Sequence, residues 1–257
     1  MKLLSRLWRP LLRTFFMTSE YRSMITSALR PEVVLSENNR KATIERFRSF
    51  QLPKTSKNIS EAAVLVPLCL YKGELGLLYT LRSMKLTTNR GQVSFPGGMR
   101  DKTDVNLQET ALRETWEELK IPKEKIDVWT IGNLIDKGTV NVMPVLAYIG
   151  EIELEILEIN PDEVEEAFVI SLQKLCDPDL CSFTRFQKED ITLPSYLGGK
   201  YRVWGFTGAI THIVLQALVP NVYMNKVSHV QPLRQNASEK TNKQSFSILL
   251  NVPHSKI

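Results

Sequence analysis

Three glutamates, Glu114, Glu117 and Glu118, stand at spacings i, i+3 and i+4. On a helix that spacing turns all three carboxylates out of one face within about one turn. Like charges that close repel one another and weaken an isolated helix, so a chain that keeps them invites a divalent cation. Mg²⁺ and Mn²⁺ are the fitting choices, because they prefer carboxylate and water oxygens. Upstream, Pro96 is followed by Gly97-Gly98, a pair that allows a tight turn and close approach of backbone to a phosphate. Glycine turn, acidic helix and metal together make a site for hydrolysing a phosphate anhydride. Arg113 is within reach of phosphate, but its i, i+4 relation to Glu117 favours an orienting ion pair. An acidic run by itself is most often a solvated face; the adjoining glycines and arginine set this one apart.

The segment resembles the Nudix box, written in family shorthand Gly-x5-Glu-x7-Arg-Glu-U-x-Glu-Glu-x-Gly-U with U aliphatic. Gly98, Arg113, Glu114, Glu117, Glu118 and Ile121 fall on its fixed positions. Two neighbouring stretches, Leu77-Leu78-Tyr79-Thr80-Leu81-Arg82-Ser83 and Arg90-Gly91-Gln92-Val93-Ser94-Phe95-Pro96-Gly97-Gly98, look like the second signature of coenzyme A pyrophosphatases within that superfamily. Ala62-Ala63-Val64-Leu65-Val66-Pro67-Leu68-Cys69 and Tyr201-Arg202-Val203-Trp204-Gly205 make the chain most similar to the mitochondrial coenzyme A diphosphatase branch. The resemblance covers about residues 60–220. Two departures stand out. Asp104 occupies the place of the first Glu, one residue farther than usual from Arg113, and Lys120 replaces the Gly that follows the helix. If that last position needs a positive φ, Lys costs on the order of 1 kcal/mol there.

The resemblance implies an α/β Nudix fold, a mixed β-sheet sandwiched between α-helices. It implies Glu114, Glu117 and Glu118 as ligands of Mg²⁺ or Mn²⁺, with Arg113 beside them in the catalytic set. It implies a small-molecule substrate, coenzyme A and its acyl esters, cut at the diphosphate to 3′,5′-ADP and 4′-phosphopantetheine or its acyl form. A broader pyrophosphatase acting on NADH-type compounds and a catalytically silent coenzyme A-binding scaffold are the alternatives. Arg82, Ser83 and Arg90, with Gly97 and Gly98, are the candidate substrate-binding residues, since guanidinium forks suit phosphate oxygens; structural capping of the loop is the competing role for the first three. Glu163 and Glu166 are candidates for general base, although acids after Pro161 also suit a helix start. Trp204 is expected in the core rather than stacked on adenine, and His212 is expected as a hydrogen-bonded core histidine.

These residues need elements to hold them. A short helix is expected over 39–50, and a hairpin over 62–71 and 75–82 around Lys72-Gly73-Glu74. A polar loop follows over 83–92, then an extended piece at Val93–Phe95. The acidic helix is placed at 105–119, with Leu112 and Leu119 on its apolar face. Strands are expected at 126–135 and 141–149. Pro161 is expected to open a helix from Asp162 to Phe168 with Asn160 as its cap, and a buried helix spans 205–219 before Pro220.

At 257 residues and 43% hydrophobic, the chain suits one domain with extensions. The expected division is a leader at 1–22, the catalytic domain at 23–225 and a polar, disordered tail at 226–257. Basic residues concentrate at the two ends: Lys2, Arg6, Arg9, Arg13 and Arg22 against Glu20, and Lys226, Arg234, Lys240, Lys243 and Lys256 against Glu239. The net charge of +5 therefore leaves a mildly acidic body and no basic groove for nucleic acid. In the leader, Lys2, Arg6, Arg9 and Arg13 share an arc of roughly 60° opposite Leu4, Leu7, Trp8, Leu11 and Phe15. That pattern resembles a mitochondrial transit peptide and is too short and too interrupted for stable membrane insertion. Ser255-Lys256-Ile257 resembles a peroxisomal signal with the wrong last residue, so the peroxisome is the alternative location. Cys69, Cys176 and Cys181 form no metal or disulfide spacing. Nothing in the pattern specifies an oligomer.

Overall fold

The computed structural model describes residues 19–50, 60–186 and 191–223. Residues 1–18 of the expected leader at 1–22, and the whole of the expected tail at 226–257 with Ser255-Lys256-Ile257, lie outside the described residues. The described chain begins with α1 (Ser19–Ala28), α2 (Pro31–Val34) and α3 (Glu37–Ser49). Helix α1 runs across the expected boundary at residue 22, and its Ile25 is in the core. Ser36 caps α3 by accepting a hydrogen bond from the Asn39 amide, which satisfies one of the free donors of the first turn.

β1 (Ser60–Tyr71) and β2 (Glu74–Arg82) form the expected hairpin, closed by Lys72 and Gly73 at φ 51° and 80°. Two successive positive φ values match the twist of the strands. Beyond Leu68 and Leu77 the two strands take other neighbours. β3 (Val93–Ser94) continues alongside β2, and β4 (Gly97–Met99) lies antiparallel to the start of β1, with Ala63 opposite Gly98. α4 (Leu107–Leu119) follows, then β5 (Asp127–Ile131), β6 (Ile135–Asp136) and β7 (Val140–Glu151). The expected strand over 126–135 is thus two strands, split at Gly132. β7 runs parallel to β1 and antiparallel to β5 and β6, which makes the sheet mixed.

The helix expected from Asp162 to Phe168 is not there. Residues 164–171 form β8 (Val164–Ser171), antiparallel to β2 with Leu77 opposite Ile170. Val164, Phe168 and Ile170 are buried while Glu165 is exposed, so burial along the segment follows the two-residue period of a strand. The Asn160 side chain does accept from the Asp162 amide, but this closes a turn rather than opening a helix. α5 (Leu172–Cys176) leads to a separate hairpin, β9 (Cys181–Phe186) with β10 (Ile191–Tyr196), which no local pattern announced. α6 (Gly205–Leu218) closes the described chain and stops before Pro220 as expected.

The sheet buries both faces. On one, Leu107, Ala111, Leu112 and Leu119 of α4 pack on Ala63, Leu65, Leu78, Val145 and Ala147. On the other, Ile210, Val214, Leu215 and Leu218 of α6 and Phe47 of α3 pack with Val66, Leu68, Leu77 and Tyr79. Neighbouring strand residues such as Leu65 and Val66 serve opposite layers because side chains alternate across a strand. The architecture is a mixed sheet between helices. No helix among the described residues is long and apolar enough to cross a membrane.

Candidate active site

Asn106 starts α4 by accepting a hydrogen bond from the Glu109 amide at 3.0 Å. The helix ends at Lys120 in the left-handed conformation, φ 53° and ψ 26°. The position does require positive φ, so the Lys that replaces glycine there carries a local strain. At about 100° per residue, Glu118 lies about 40° round the helix from Glu114 on one side, and Glu117 about 60° on the other. One face therefore carries all three, but they do not converge on one point.

Arg113 separates them. Its Nε and Nη2 donate to the two oxygens of Asp104 at 2.9 and 3.0 Å, and Nη2 also donates to the Met99 carbonyl at 3.0 Å. Its Nη1 lies 2.9 Å from Glu117 Oε2 and 3.0 Å from Glu114 Oε1. The guanidinium thus ties the β4 turn, the loop carrying Asp104 and two helix carboxylates into one unit. This is the orienting arrangement expected of it, with every arm engaged by protein. Asp104 is held well below the usual carboxylate range, chiefly by the hydrogen bonds of Arg113.

Glu117 faces Arg113 and solvent, its side chain 44% exposed. The carboxylates that do converge are Glu114, Glu118 and Glu163, with one oxygen of each within 4.8 Å of the others. Glu163 comes from the turn before β8, which is fastened to the helix by the Asn160 amide donating to the Glu118 carbonyl at 2.9 Å. Asn160 also donates from Nδ2 to Glu163 Oε1 at 3.2 Å. Glu118 is 2% exposed, and its Oε2 is buried with no hydrogen-bond partner among the described residues. Burial pushes its carboxyl up to about 8; the nearby Arg82 opposes the shift, while Glu114 and Glu163 reinforce it. Glu114 is raised as well, again first by burial, with Arg113 pulling the other way. An orphaned buried acceptor within an all-oxygen cluster fits a hard divalent cation. The glycines complete the cradle. A Cβ on Gly98 would sit 2.5 Å from the Glu114 carboxylate, and one on Gly97 2.3 Å from the Ala63 carbonyl oxygen.

The model of the NUDIX domain matches residues 60–189, which hold β1, the glycine turn, α4 and Glu163. The chain belongs to the Nudix hydrolases. Among curated relatives, the mouse (Mus musculus) mitochondrial coenzyme A diphosphatase NUDT8 is 44% identical over 63% of this chain and 80% of its own length. The human (Homo sapiens) protein of the same name is 41% identical over 66% of this chain and 74% of its own. A solved structure, the MutT/nudix family protein from Enterococcus faecalis, aligns with a TM-score of 0.43 at 21% identity, covering 79% of this chain and 73% of that one.

Other candidate residues of this Nudix hydrolase divide into those near the carboxylates and those elsewhere. Arg82, at the end of β2, brings Nη1 to 4.0 Å from Glu118 Oε1, and its Nε is buried without a partner. Ser83 is buried and donates to the Pro161 carbonyl at 3.1 Å, while its amide donates to the Glu163 carbonyl at 2.9 Å. Its hydroxyl is therefore engaged in holding the turn that presents Glu163. Arg90 is exposed on the loop between β2 and β3. Glu166 lies outside the cluster: Lys200 reaches it at 2.7 Å, Tyr201 donates to it at 2.8 Å, and these contacts lower its pKa.

Trp204 corrects the expectation of a core residue. It is 38% exposed at the start of α6, with the Arg202 guanidinium 5.6 Å from its ring. The chain turns outward there so that the backbone can enter α6 through Gly205 at φ 61°. His212 is hydrogen-bonded, Nδ1 to Tyr223 at 2.8 Å, in the layer behind the sheet. The residue that sequence reasoning underweighted is Glu163. The only local signal for it was an acid beside a proline turn, and such acids are common.

Proposed function

We propose that this Nudix hydrolase cleaves the diphosphate of coenzyme A and its acyl esters, releasing 3′,5′-ADP and 4′-phosphopantetheine or its acyl form. The observation that carries the chemistry is the buried, unpartnered Glu118 oxygen among the converging carboxylates. Identity of 41–44% to relatives named mitochondrial coenzyme A diphosphatases supports the substrate, together with the 77–83 and 90–98 signature.

Glu114, Glu118 and Glu163 would hold Mg²⁺ or Mn²⁺, with Glu117 close enough along the helix to serve a second ion. When bound, such ions neutralise diphosphate oxygens and acidify coordinated water. The chain supplies the rest. Gly97 and Gly98 let the Glu114 carboxylate and the β1 backbone close up against the turn, which sets Glu114 in place. Arg113 and Asp104 keep Glu114 and Glu117 in register with the turn. Arg82 offers a guanidinium to phosphate oxygen, and Arg90 stands on the loop above. Of the two candidate bases, Glu163 would serve as a ligand and Glu166 is paired with Lys200 and Tyr201, so no general base is assigned. The basic, amphipathic residues 1–22 would direct the protein to mitochondria, where the named relatives are placed.

A panel of coenzyme A, acetyl-coenzyme A, dephospho-coenzyme A, NADH and ADP-ribose, assayed with Mg²⁺ and with Mn²⁺, tests the reading. Release of 3′,5′-ADP from coenzyme A as the preferred reaction is the expected outcome. Equal turnover of NADH or ADP-ribose would replace it with a broader pyrophosphatase, and binding without turnover with a silent scaffold. A fluorescent fusion lacking residues 1–18 keeps α1 intact and should leave mitochondria; retention there would refute the leader.

A further inference from the structure

Lys137 lies in the loop between β6 and β7, and nothing in the chemistry above uses it. The backbone of that loop is fixed. The Gly138 amide donates to Asp136 Oδ1 at 2.6 Å, and the Lys137 amide donates to the Val140 carbonyl at 2.9 Å. From this anchor the side chain extends over the ring of Phe206, with Nζ 5.4 Å from its centroid. The residue is half-buried, and among the described residues no carboxylate pairs with its ammonium. Burial, and secondarily the charge of Arg82, lower its pKa.

Sheet register places both at one end of the sheet. Ala62, Ala63 and Val64 pair with Met99, Gly98 and Gly97 on one side and with Val142, Met143 and Pro144 on the other. The loop that begins β7 therefore lies at the sheet end that carries the glycine turn. Arg82 ends β2 at that same end, one guanidinium nitrogen 4.0 Å from Glu118 and its Nε buried without a partner. A half-buried ammonium with no counter-ion costs stability. Two cations left short of partners beside a metal-binding cluster mark a place where an anion belongs.

We infer that Lys137 and Arg82 together bind a substrate phosphoryl group distinct from the one held at the carboxylates, with Lys137 the specificity-determining member. The group is either the second phosphate of the diphosphate or a phosphomonoester elsewhere on the substrate. Both present anionic oxygens that an ammonium and a guanidinium recognise. The aromatic ring of Phe206 keeps the ammonium aimed without neutralising it. The proposal rests on the coenzyme A reading only in its choice of substrates.

Lys137→Met keeps the length and the contact with Phe206 and removes the charge; Lys137→Arg restores a cation. Each is compared with the wild type on coenzyme A and on dephospho-coenzyme A in Mn²⁺, and for equilibrium binding of adenosine 3′,5′-bisphosphate to the Mn²⁺-loaded protein. Losing a charged hydrogen bond should raise KM about 10- to 100-fold in the Met variant, with kcat changed far less. Mn²⁺ affinity and the melting midpoint should be unchanged or improved, and Arg should restore most of the affinity. A loss confined to coenzyme A assigns the phosphomonoester; a loss on both substrates assigns the diphosphate. If the wild type hydrolyses neither substrate, the coenzyme A reading fails, and Lys137-dependent binding of the bisphosphate still decides this proposal. The inference is overturned if the Met variant stays within twofold of wild type in every assay. It is equally overturned if its losses come with a lowered melting midpoint that Arg does not restore.

Discussion

Substituting Glu118 by Gln should make the metal-free protein more stable at high pH while removing its response to metal. Glu118 is 2% exposed, and burial raises its carboxyl from an ordinary 4.5 to about 8. Between those values the folded state keeps a proton that the unfolded state has released. Stability therefore falls as pH rises through this window and levels off above about 8. A separation of that size, at about 1.4 kcal/mol per pH unit, corresponds to an upper bound on the order of 5 kcal/mol. Even half of that moves the midpoint of a domain this size by roughly 5–10 °C. Gln carries no charge to desolvate and keeps an oxygen able to accept the Gly97 amide, so the Glu118 share of the slope should disappear. The assay is thermal melting of both proteins at pH 5.5, 7 and 8.5, with EDTA and with Mn²⁺. Wild type should lose stability with pH in EDTA and regain it in Mn²⁺, because the cation binds the ionised form. The Gln variant should keep only the shallower slope that Glu114 contributes and gain little from Mn²⁺, with turnover reduced roughly 100-fold or more. Parallel melting profiles for the two proteins in EDTA, or equal stabilisation of both by Mn²⁺, would refute the reasoning.

Three further outcomes follow from the same geometry. Gly98→Ala places a methyl 2.5 Å from the Glu114 carboxylate; a side chain can yield where backbone cannot, so Mn²⁺ affinity by calorimetry should fall at least tenfold while the midpoint changes little. Lys120→Gly removes a side chain from a left-handed position at φ 53° and should stabilise by about 1 kcal/mol in urea titration, with activity unchanged. Asp104→Asn breaks the two-pronged contact with Arg113 and should cost about 1–3 kcal/mol at neutral pH. Because Asp104 is held below its ordinary value of 3.8, its contribution is present above that value and lost on acidification. The gap between Asn variant and wild type should therefore narrow below about pH 4, read by denaturant melts across pH.

Local chemistry was legible where the determinant was local. The i, i+3, i+4 glutamates, the glycine pair and the apolar positions of α4 lie within one stretch of chain, and so does their periodicity. The positive φ at Lys120 was foreshadowed only by the glycine that the family pattern places there, and the backbone itself shows it. Three features were not. Residues 164–171 carry an acidic start after a proline, which locally resembles a helix; only pairing with β2 over Leu77–Leu81 makes them a strand. Trp204 reads as core from its size, yet the entry into α6 turns it outward. Ser83 reads as phosphate ligand or as loop cap, and only the tertiary contact of its hydroxyl with the Pro161 carbonyl favours the cap.

What the amino-acid sequence determined by itself is the acidic helix, the glycine turn before it and the family both belong to, because helix phase and backbone sterics act over a few residues. Which carboxylates meet was decided only by tertiary structure. Glu117 stands next to Glu118 in the chain but is drawn aside by Arg113, whereas Glu163 is 45 residues away and arrives through the Asn160 amide on the Glu118 carbonyl. Convergence within a few ångströms depends on how the sheet brings distant turns to one end, and no short-range pattern encodes that distance.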